Sequence, residues 1–232
     1  SSAASDVYKR QLLDQMTSSV GSFVEIDFAD PANPVIEKLD FDFASCGYAL
    51  CIVDTGGSHS DLTDEYAAVR KEMESVAEYL GKSVLREVDE DEFMKNIADI
   101  RSSCGDRAVL RAMHFYGDNA RVEKQAAALK AGDFETFKKY IIESGRSSYM
   151  YNQNVYSCKK ASEQPVSLAL SLSEKLLDGC GAWRVHGGGF AGTIQAFVPL
   201  NKLDEYKDLM EKVFGSGSCY ILSVRPVGGV EL

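Results

Sequence analysis

The stretch GAWRVHGGGFAGTIQAFVPL, residues 181–200, holds three consecutive glycines between two segments rich in β-branched and aromatic residues. Segments 182–186 and 192–200 have the length and composition of strands. The glycines, Gly187 to Gly189, allow positive φ and carry no Cβ atom, so a bound group can come close to the backbone amides. A tight hairpin turn is the plainer interpretation of the same glycines. The stretch therefore predicts two joined strands and leaves a binding role for their connection open.

The residues around this hairpin extend the pattern in both directions along the chain. Downstream, NKLDEYKDLMEKVFG (201–215) predicts a helix and CYILSVRP (219–226) a strand. Upstream, the alternating SFVEIDF (22–28), the segment VIEKLDF (35–41) and the apolar run YALCIVDT (48–55) predict further strands. Strands and helices in this order predict an α+β fold, a two-layer sandwich with helices on one face of a mainly antiparallel sheet.

The middle of the chain predicts helices. Apolar residues recur at steps of four and three between positions 62 and 80, which is one stripe of a long helix that ends at Gly81. The stripe contains Leu62, Tyr66, Val69, Met73, Val76 and Leu80. Further helices are predicted over 90–99, over 106–130 and from Pro165, whereas the polar, aromatic and aperiodic segment 145–157 predicts an ordered loop.

Composition and charge restrict the classes of function. The chain has 232 residues, 45% of them hydrophobic, and its net charge of −10 argues against a nucleic-acid-binding surface, which needs a positive face. No apolar run approaches the length of a membrane span, so no membrane partner is expected. The six cysteines form no CxxC pair and the three histidines do not cluster near them, which argues against a zinc site. Free thiols fit a reducing, cytoplasmic location, although a chain without its true N-terminus would not show a signal peptide.

The connection between the two predicted strands, residues 187–190 and here named the glycine bend, has a more specific interpretation when its neighbours are included. Residues 181–193 resemble the third motif of the GHMP small-molecule kinases, and within them of the galactokinases, whose version reads close to GSRMTGGGFGG. Arg184 and the GGGF of 187–190 match this motif. His186 stands where the family usually has Thr, and Ala191 where it usually has Gly. These departures are mild, and the match makes a phosphate- or sugar-binding bend the favoured interpretation.

A second match lies far upstream. The stretch TGGSHSDLTDEY (55–66) resembles the galactokinase segment in which a strand ends at Thr, a His comes seven residues before a Tyr, and an Arg follows four residues later. Here these residues are Thr55, His59, Tyr66 and Arg70. In that family the Tyr packs against the sugar, and an aromatic face suits the apolar side of a pyranose. Periodicity alone would instead assign Tyr66 to the helix stripe.

A third match lies near the beginning of the chain. LLDQMTSSVG (12–21) resembles the galactokinase stretch GxMDQF, whose Asp sits by the sugar hydroxyl that attacks the γ-phosphate. Asp14 occupies that place. A lone Asp-Gln pair is a weak signal, since such an Asp is usually solvated or caps a helix. Three matches in the right order are a strong signal, and the resemblance extends over residues 12–232.

The resemblance implies a fold, a reaction and a set of site residues. It implies the ferredoxin-like C-terminal domain of a GHMP kinase over 46–232, with 12–45 as a remnant of the N-terminal domain. The implied reaction is transfer of the ATP γ-phosphoryl to the anomeric hydroxyl of galactose, with Mg²⁺, by a cytoplasmic monomer that binds a small-molecule sugar. The implied roles are catalysis by Asp14, substrate binding by Asp14, Tyr66, Gly187, Gly188 and Gly189, and ATP binding by Ser1 and Ser2. Metal ligands are not identified.

The first eleven residues are expected to be a non-native or junction segment. DVYKRQ (6–11) can be encoded by GATGTGTATAAGAGACAG, which resembles a transposon end used in preparing sequencing libraries, although a natural linker is the alternative. SSAAS (1–5) resembles the end of the family's phosphate loop, GLSSSAA, or is incidental. The family's N-terminal Arg, its GEHxD segment and the glycines of its phosphate loop have no counterpart here. We therefore expect this polypeptide to be inactive on its own.

Three alternatives stay open on the sequence. A galactokinase-like sensor would bind sugar and ATP and signal to a transcriptional partner without turnover, although the presence of Asp14 argues mildly against lost chemistry. A sister GHMP kinase would act on N-acetylgalactosamine, arabinose or mevalonate, although the segment with His59 and Tyr66 favours galactose. An α+β interaction domain would leave the three ordered motifs unexplained.

Overall fold

The structure, a computed structural model, describes residues 20–29, 33–57, 62–190 and 192–225. The strands are β1 (Phe23–Asp27), β2 (Val35–Leu39), β3 (Tyr48–Asp54), β4 (Ala182–Val185), β5 (Thr193–Pro199) and β6 (Cys219–Leu222). The α-helices are α1 (Thr63–Tyr79), α2 (Glu90–Lys95), α3 (Ile97–Cys104), α4 (Asp106–Lys130), α5 (Phe134–Ser147), α6 (Pro165–Leu177) and α7 (Leu203–Phe214). A π-helix, Ser148–Asn152, continues directly from α5.

A four-stranded antiparallel sheet with the order β4-β5-β3-β6 organises the second half of the chain. β4 and β5 form the predicted hairpin, with Ala182 opposite Phe197 and Val185 opposite Ile194. β3 lies between β5 and β6, so a strand from the first quarter of the chain is central in the sheet. The predicted α+β class with an antiparallel sheet is confirmed.

Helices α6 and α7 cover one face of this sheet. Alternate residues of β3, among them Cys51 and Val53, are fully buried against these helices. From the helices, Ala169 of α6 and both Tyr206 and Met210 of α7 are fully buried in the same cluster. Burial of a large apolar side chain contributes about 1.5–3 kcal/mol, so this layer is a main source of the stability of the sheet.

The opposite face of the sheet carries a second helical layer, which adds to the predicted two-layer arrangement. Phe197 of β5 packs edge-on against Phe134 and Phe137 of α5, with ring centroids 5.8 and 5.4 Å apart. β5 is apolar on both faces, because Phe197 faces this cluster while Ala196 and Val198 belong to the cluster of α6 and α7. A central strand with two buried faces can hold helices on both of them.

A helical bundle forms the third core. Val69, Met73 and Val76 of α1 are buried there, together with Phe93 of α2 and Ile100 of α3. Leu62 is also buried, and Tyr66 and Leu80 are packed against the cluster, so the predicted stripe is confirmed. Phe190, from the glycine bend, is buried in the same bundle, and it therefore joins the bend to the helices.

Two details differ from the sequence prediction. The helix predicted over 90–99 is divided at Asn96, which ends α2 and precedes α3, and whose side chain donates to the Glu92 carbonyl. The segment 145–157, predicted as a loop, is helical as far as Asn152. Within this segment Gly145 lets α5 approach β4 so closely that an added Cβ would lie 2.9 Å from Arg184 Cβ.

β1 and β2 form a separate antiparallel pair. Phe23 of β1 packs edge-on against Phe41, Phe43 and Phe137, which attaches the pair to α5. A two-stranded sheet is marginally stable alone, so this packing matters for its order. In the described part of the chain, the helices are all too short or too polar to cross a membrane.

Candidate functional site

The glycine bend is held by the segment that follows the π-helix. The Phe190 amide donates to the Asn154 carbonyl oxygen at 2.5 Å. The Asn154 side-chain amide donates to the Gly188 carbonyl oxygen at 3.1 Å. Asn154 is buried, with 4% of its surface exposed, so water does not compete for these bonds. The bend therefore has a fixed shape that depends on Asn154.

The glycines of the bend are required for different reasons. Gly189 has φ of +78°, and a Cβ added there would lie 1.8 Å from the Asn154 carbonyl oxygen. Gly187 has φ of +69°, but a Cβ there would meet nothing within 4 Å. Gly189 thus permits a close backbone approach, whereas Gly187 permits only a left-handed conformation.

Tyr66 lies against this bend. Its hydroxyl donates to the Gly189 carbonyl oxygen at 2.8 Å, although the two residues are 123 positions apart. Its ring packs edge-on against Phe190, with centroids 5.3 Å apart and planes at 89°. The structure therefore brings together two of the site segments that the sequence predicted, the start of α1 and the glycine bend.

Thr55 connects the end of β3 to the other side of the bend. Its amide and its hydroxyl donate to the Gly192 carbonyl oxygen, at 2.9 and 2.6 Å. Thr55 is 7% exposed, so these bonds are shielded from water. Arg70, which the second motif also contains, forms an ion pair with Glu74 at 2.6 Å on the helix surface.

Several residues with predicted roles lie outside the described residues. These are Asp14, Ser1, Ser2 and His59. Within the described ranges, no group of three or more His, Cys, Asp or Glu side chains is placed to hold a metal ion. Of the residues with predicted binding roles, the structure therefore describes Tyr66 and the glycines of the bend.

A buried polar cluster fixes β4 just before the bend. Arg184 Nη1 donates to Ser144 Oγ at 2.6 Å, and that hydroxyl donates to Asp118 Oδ1, also at 2.6 Å. Arg121 Nε lies 3.1 Å from the same carboxylate oxygen. Burial acts to raise the pKa of Asp118, but Arg184 and its other partners hold that pKa below its usual value. Asp118 is thus ionised and anchors the strand that enters the bend.

His114 borders this cluster on α4. Its Nδ1 lies 2.9 Å from Ser147 Oγ, and its Nε2 lies 3.8 Å from Asp118 Oδ2. Burial lowers the pKa of His114 to about 4, and the charges of Arg184 and Arg121 act in the same direction against the effect of Asp118. His114 is therefore neutral in the fold at neutral pH.

This buried histidine predicts a pH dependence of stability. The unfolded state binds a proton near pH 6.5 and the folded state only near pH 4, so acid favours unfolding across that window. We expect the free energy of unfolding to fall by about 2 kcal/mol from His114 alone between pH 7 and pH 5. Urea unfolding of wild type and His114→Gln at both pH values checks this, because the variant should lose that part of the slope of unfolding free energy against pH. An unchanged slope would contradict the prediction.

Sequence reasoning missed Asn154, Ser144 and Asp118. Their contacts with the bend and with β4 connect residues that are tens of positions apart. Asn and Ser occur throughout polar segments, so residue type alone gives no signal for such roles. The close approach at Gly189 is visible only once the partner backbone is known.

Comparison with known proteins finds relatives that match most of this chain, while the match covers only part of each relative. No family model matches the sequence. The chain is 25% identical over 198 residues to a galactokinase of Actinobacillus pleuropneumoniae serotype 5b, a match that covers 85% of this chain and 49% of that protein. It is 31% identical over 184 residues to the galactokinase of Homo sapiens, which covers 79% of this chain and 44% of that protein. The chain thus spans about half the length of the curated relatives it matches.

A solved structure shares the fold. The galactokinase of Lactococcus lactis, crystallised in complex with galactose, superposes with a TM-score of 0.67 at 20% sequence identity. The superposition covers 95% of this chain and 56% of that one. The antiparallel sheet with its helical layers is therefore the arrangement found in part of that structure.

Proposed function

This chain is a galactokinase homologue over 85% of its length, and on that premise we propose that it is the C-terminal part of an enzyme that phosphorylates galactose. The proposed reaction moves the γ-phosphoryl group of ATP to the anomeric hydroxyl and gives galactose 1-phosphate. The Lactococcus lactis relative, whose structure contains galactose, supports a sugar as the substrate class. We keep galactose as the substrate because the homologues are galactokinases.

The contact between Tyr66 and Gly189 is the observation that carries this proposal. It joins the second and third motifs, which were matched independently along the sequence, through one hydrogen bond of 2.8 Å. The edge-on contact with Phe190 orients the Tyr66 ring, and an aromatic ring face packs well against the C–H groups of a pyranose. We propose that this ring and the backbone of Gly187 to Gly189 form one wall of the sugar pocket.

The remaining chemistry is assigned to residues outside the described ranges. Phosphoryl transfer depends mainly on positioning and on compensating the charge of the phosphoryl oxygens. We propose that Asp14 accepts or orients the proton of the attacking hydroxyl, and that Ser1 and Ser2 lie near ATP. Gly187 is exposed and has no Cβ atom, so an anionic group could approach the backbone closely there. Bound Mg²⁺ would supply charge compensation at the phosphates.

The domain boundaries are part of the same proposal. We assign 46–232 to the C-terminal domain, 12–45 to a remnant of the N-terminal domain, and 1–11 to a junction segment. The separate β1–β2 pair supports the boundary between residues 45 and 46, because this pair lies outside the four-stranded sheet. We also propose a cytoplasmic monomer, and inactivity of the 232-residue chain on its own.

The test uses the whole protein expressed from the intact gene. We expect ADP release that depends on galactose, with galactose 1-phosphate detected by ³¹P NMR, and no turnover by the 232-residue chain. Tyr66→Phe removes the hydroxyl that holds Gly189, so KM for galactose should rise about fivefold. Tyr79→Phe, at an exposed tyrosine of the same helix, is the matched control. Galactose binding without any phosphate transfer by the whole protein would contradict the proposed function.

A further inference from the structure

A cavity of about 400 Å³ lies beside the glycine bend. Phe190 lines it, whereas Tyr66, which belongs to the proposed sugar wall, does not. Its volume falls within the range of small-molecule sites. Its walls come from the start of α1, the start of α4, the π-helix and the segment that follows it.

The backbone around this cavity is unusual. Gln153 is left-handed, with φ of 54° and ψ of 47°, and Phe190 has φ of 58°. Within the described ranges only three non-glycine residues have positive φ, and two of them line this cavity. The π-helix Ser148–Asn152 contributes Tyr149 to the wall. Strained conformations and π-helical turns concentrate at functional sites, so this combination points to a ligand.

The cavity presents one anionic and one cationic group. Glu65 is 8% exposed, and its Oε1 accepts from Ser157 Oγ at 2.7 Å. Arg107 is held by Glu72, with Nε lying 3.0 Å from Oε2. The hydrogen bond with Glu72 raises the pKa of Arg107, and the charge of Glu65 adds to this effect. A ligand here therefore meets a carboxylate acceptor and a guanidinium donor.

The aromatic residues set the shape of the ligand. Tyr149 and Tyr156 line the cavity with ring centroids 6.5 Å apart and planes at 56°. Tyr149 is 39% exposed, so its ring is accessible from solvent. Aromatic rings with polar edges bind molecules that have one apolar face and a rim of polar groups.

These features select a neutral, polyhydroxylated ring. Hydroxyl groups both donate and accept, so one ligand can satisfy Glu65 and Arg107 together. A phosphate would meet the carboxylate of Glu65, and an ammonium group would meet the guanidinium of Arg107. We propose that this cavity is an accessory monosaccharide site, separate from the site of phosphoryl transfer.

The accessory site has a direct connection to the proposed catalytic wall. Phe190 lines the cavity and packs against Tyr66, and its amide is held by Asn154. A sugar in the cavity therefore contacts the residue that shapes the bend. Whether the protein phosphorylates galactose is independent of this inference.

The experiment titrates the 232-residue chain with D-galactose and follows binding by saturation-transfer NMR. We expect saturable binding with a dissociation constant in the millimolar range. Tyr149→Ala removes an accessible ring, and Glu65→Gln removes the charge but keeps an oxygen for Ser157. Each variant should weaken binding by about fivefold or more. Tyr79→Ala, an exposed tyrosine that does not line the cavity, should bind as wild type does.

Other variants and probes separate the possible outcomes. If Tyr66→Phe weakens binding while Tyr149→Ala does not, galactose occupies the proposed substrate wall and the accessory site is wrong. Absence of saturable binding, or stronger binding of inorganic phosphate than of galactose, would also overturn the inference. Circular dichroism of each variant establishes that a loss of binding is not a loss of fold.

Discussion

Gly189→Ala is expected to destabilise the protein by about 4 kcal/mol, which places it among the most severe single substitutions. The new Cβ would lie 1.8 Å from the Asn154 carbonyl oxygen, and the residue would also have to keep φ at +78°. The Asn154 carbonyl cannot move away easily, because it accepts from the Phe190 amide and Asn154 is buried. The bend would have to move, and with it Phe190 would lose its place in the helical bundle.

Gly187→Ala is the matched control for this substitution. It makes the same chemical change two residues earlier in the bend, at φ of +69°, with nothing within 4 Å of the added Cβ. Only the left-handed strain remains, which costs about 1–2 kcal/mol. Urea unfolding of both variants gives the two losses of unfolding free energy, provided that the dependence of this free energy on urea concentration is the same for both. Equal losses for the two variants would show that the close approach to Asn154 is not what Gly189 permits.

Arg111→Gln is expected to cost about 3–5 kcal/mol of unfolding free energy. Arg111 is fully buried on α4, where Nη1 lies 2.8 Å from Glu72 Oε2 and Nε donates to the Asn152 carbonyl at 3.1 Å. Burial lowers the pKa of Arg111 while Glu72 acts in the opposite direction. Removing the guanidinium leaves the Asn152 carbonyl without this donor at the end of the π-helix. Local order at residues 148–152 should fall as well.

Arg107→Gln is the matched control, because it removes the more exposed of the two arginines that pair with the Glu72 carboxylate. Arg107 also pairs with Glu72, but 42% of its side chain is exposed. Exposed ion pairs contribute about 1 kcal/mol or less, so this variant should remain close to wild type. Chemical denaturation gives both values, and hydrogen exchange at residues 148–152 reports the local effect. A loss for Arg107→Gln as large as that for Arg111→Gln would contradict the role of burial.

The sheet could be predicted because its strands are short apolar segments bounded by turns. β4 and β5 were predicted from the residues on either side of Gly187 to Gly189, and β3 from its continuous apolar run. These signals are local, because short segments rich in β-branched and aromatic residues and bounded by turn residues are typical of strands. The position of β3 between β5 and β6 is not local, and no pattern in the sequence specifies it.

The second helical layer was missed for a related reason. Phe197 is far in sequence from Phe134 and Phe137, and its edge-on packing against them becomes visible only when α5 is placed on β5. The helical character of 145–152 was missed because its polar and aromatic residues have no regular period. Gly145 was interpreted as part of a loop, whereas it is the small residue that allows α5 to approach β4.

The site could be predicted in part. Tyr66 belongs to the helix stripe and also donates to Gly189, so the structural and the functional interpretations of this residue are compatible. Resemblance to a family identified Tyr66 and the bend, because motifs record residue types at fixed spacing. It did not identify Asn154, which acts through its backbone carbonyl as much as through its side chain.

A crystal structure of the whole protein with galactose bound tests the central claim most directly. The claim is that Asp14, the Tyr66 ring and the bend at Gly187 to Gly189 surround one sugar. We expect galactose in van der Waals contact with the Tyr66 ring, at about 4 Å, and its anomeric hydroxyl within hydrogen-bond distance of the Asp14 carboxylate. Galactose bound away from Tyr66, or Asp14 on a different surface from the bend, would contradict the account.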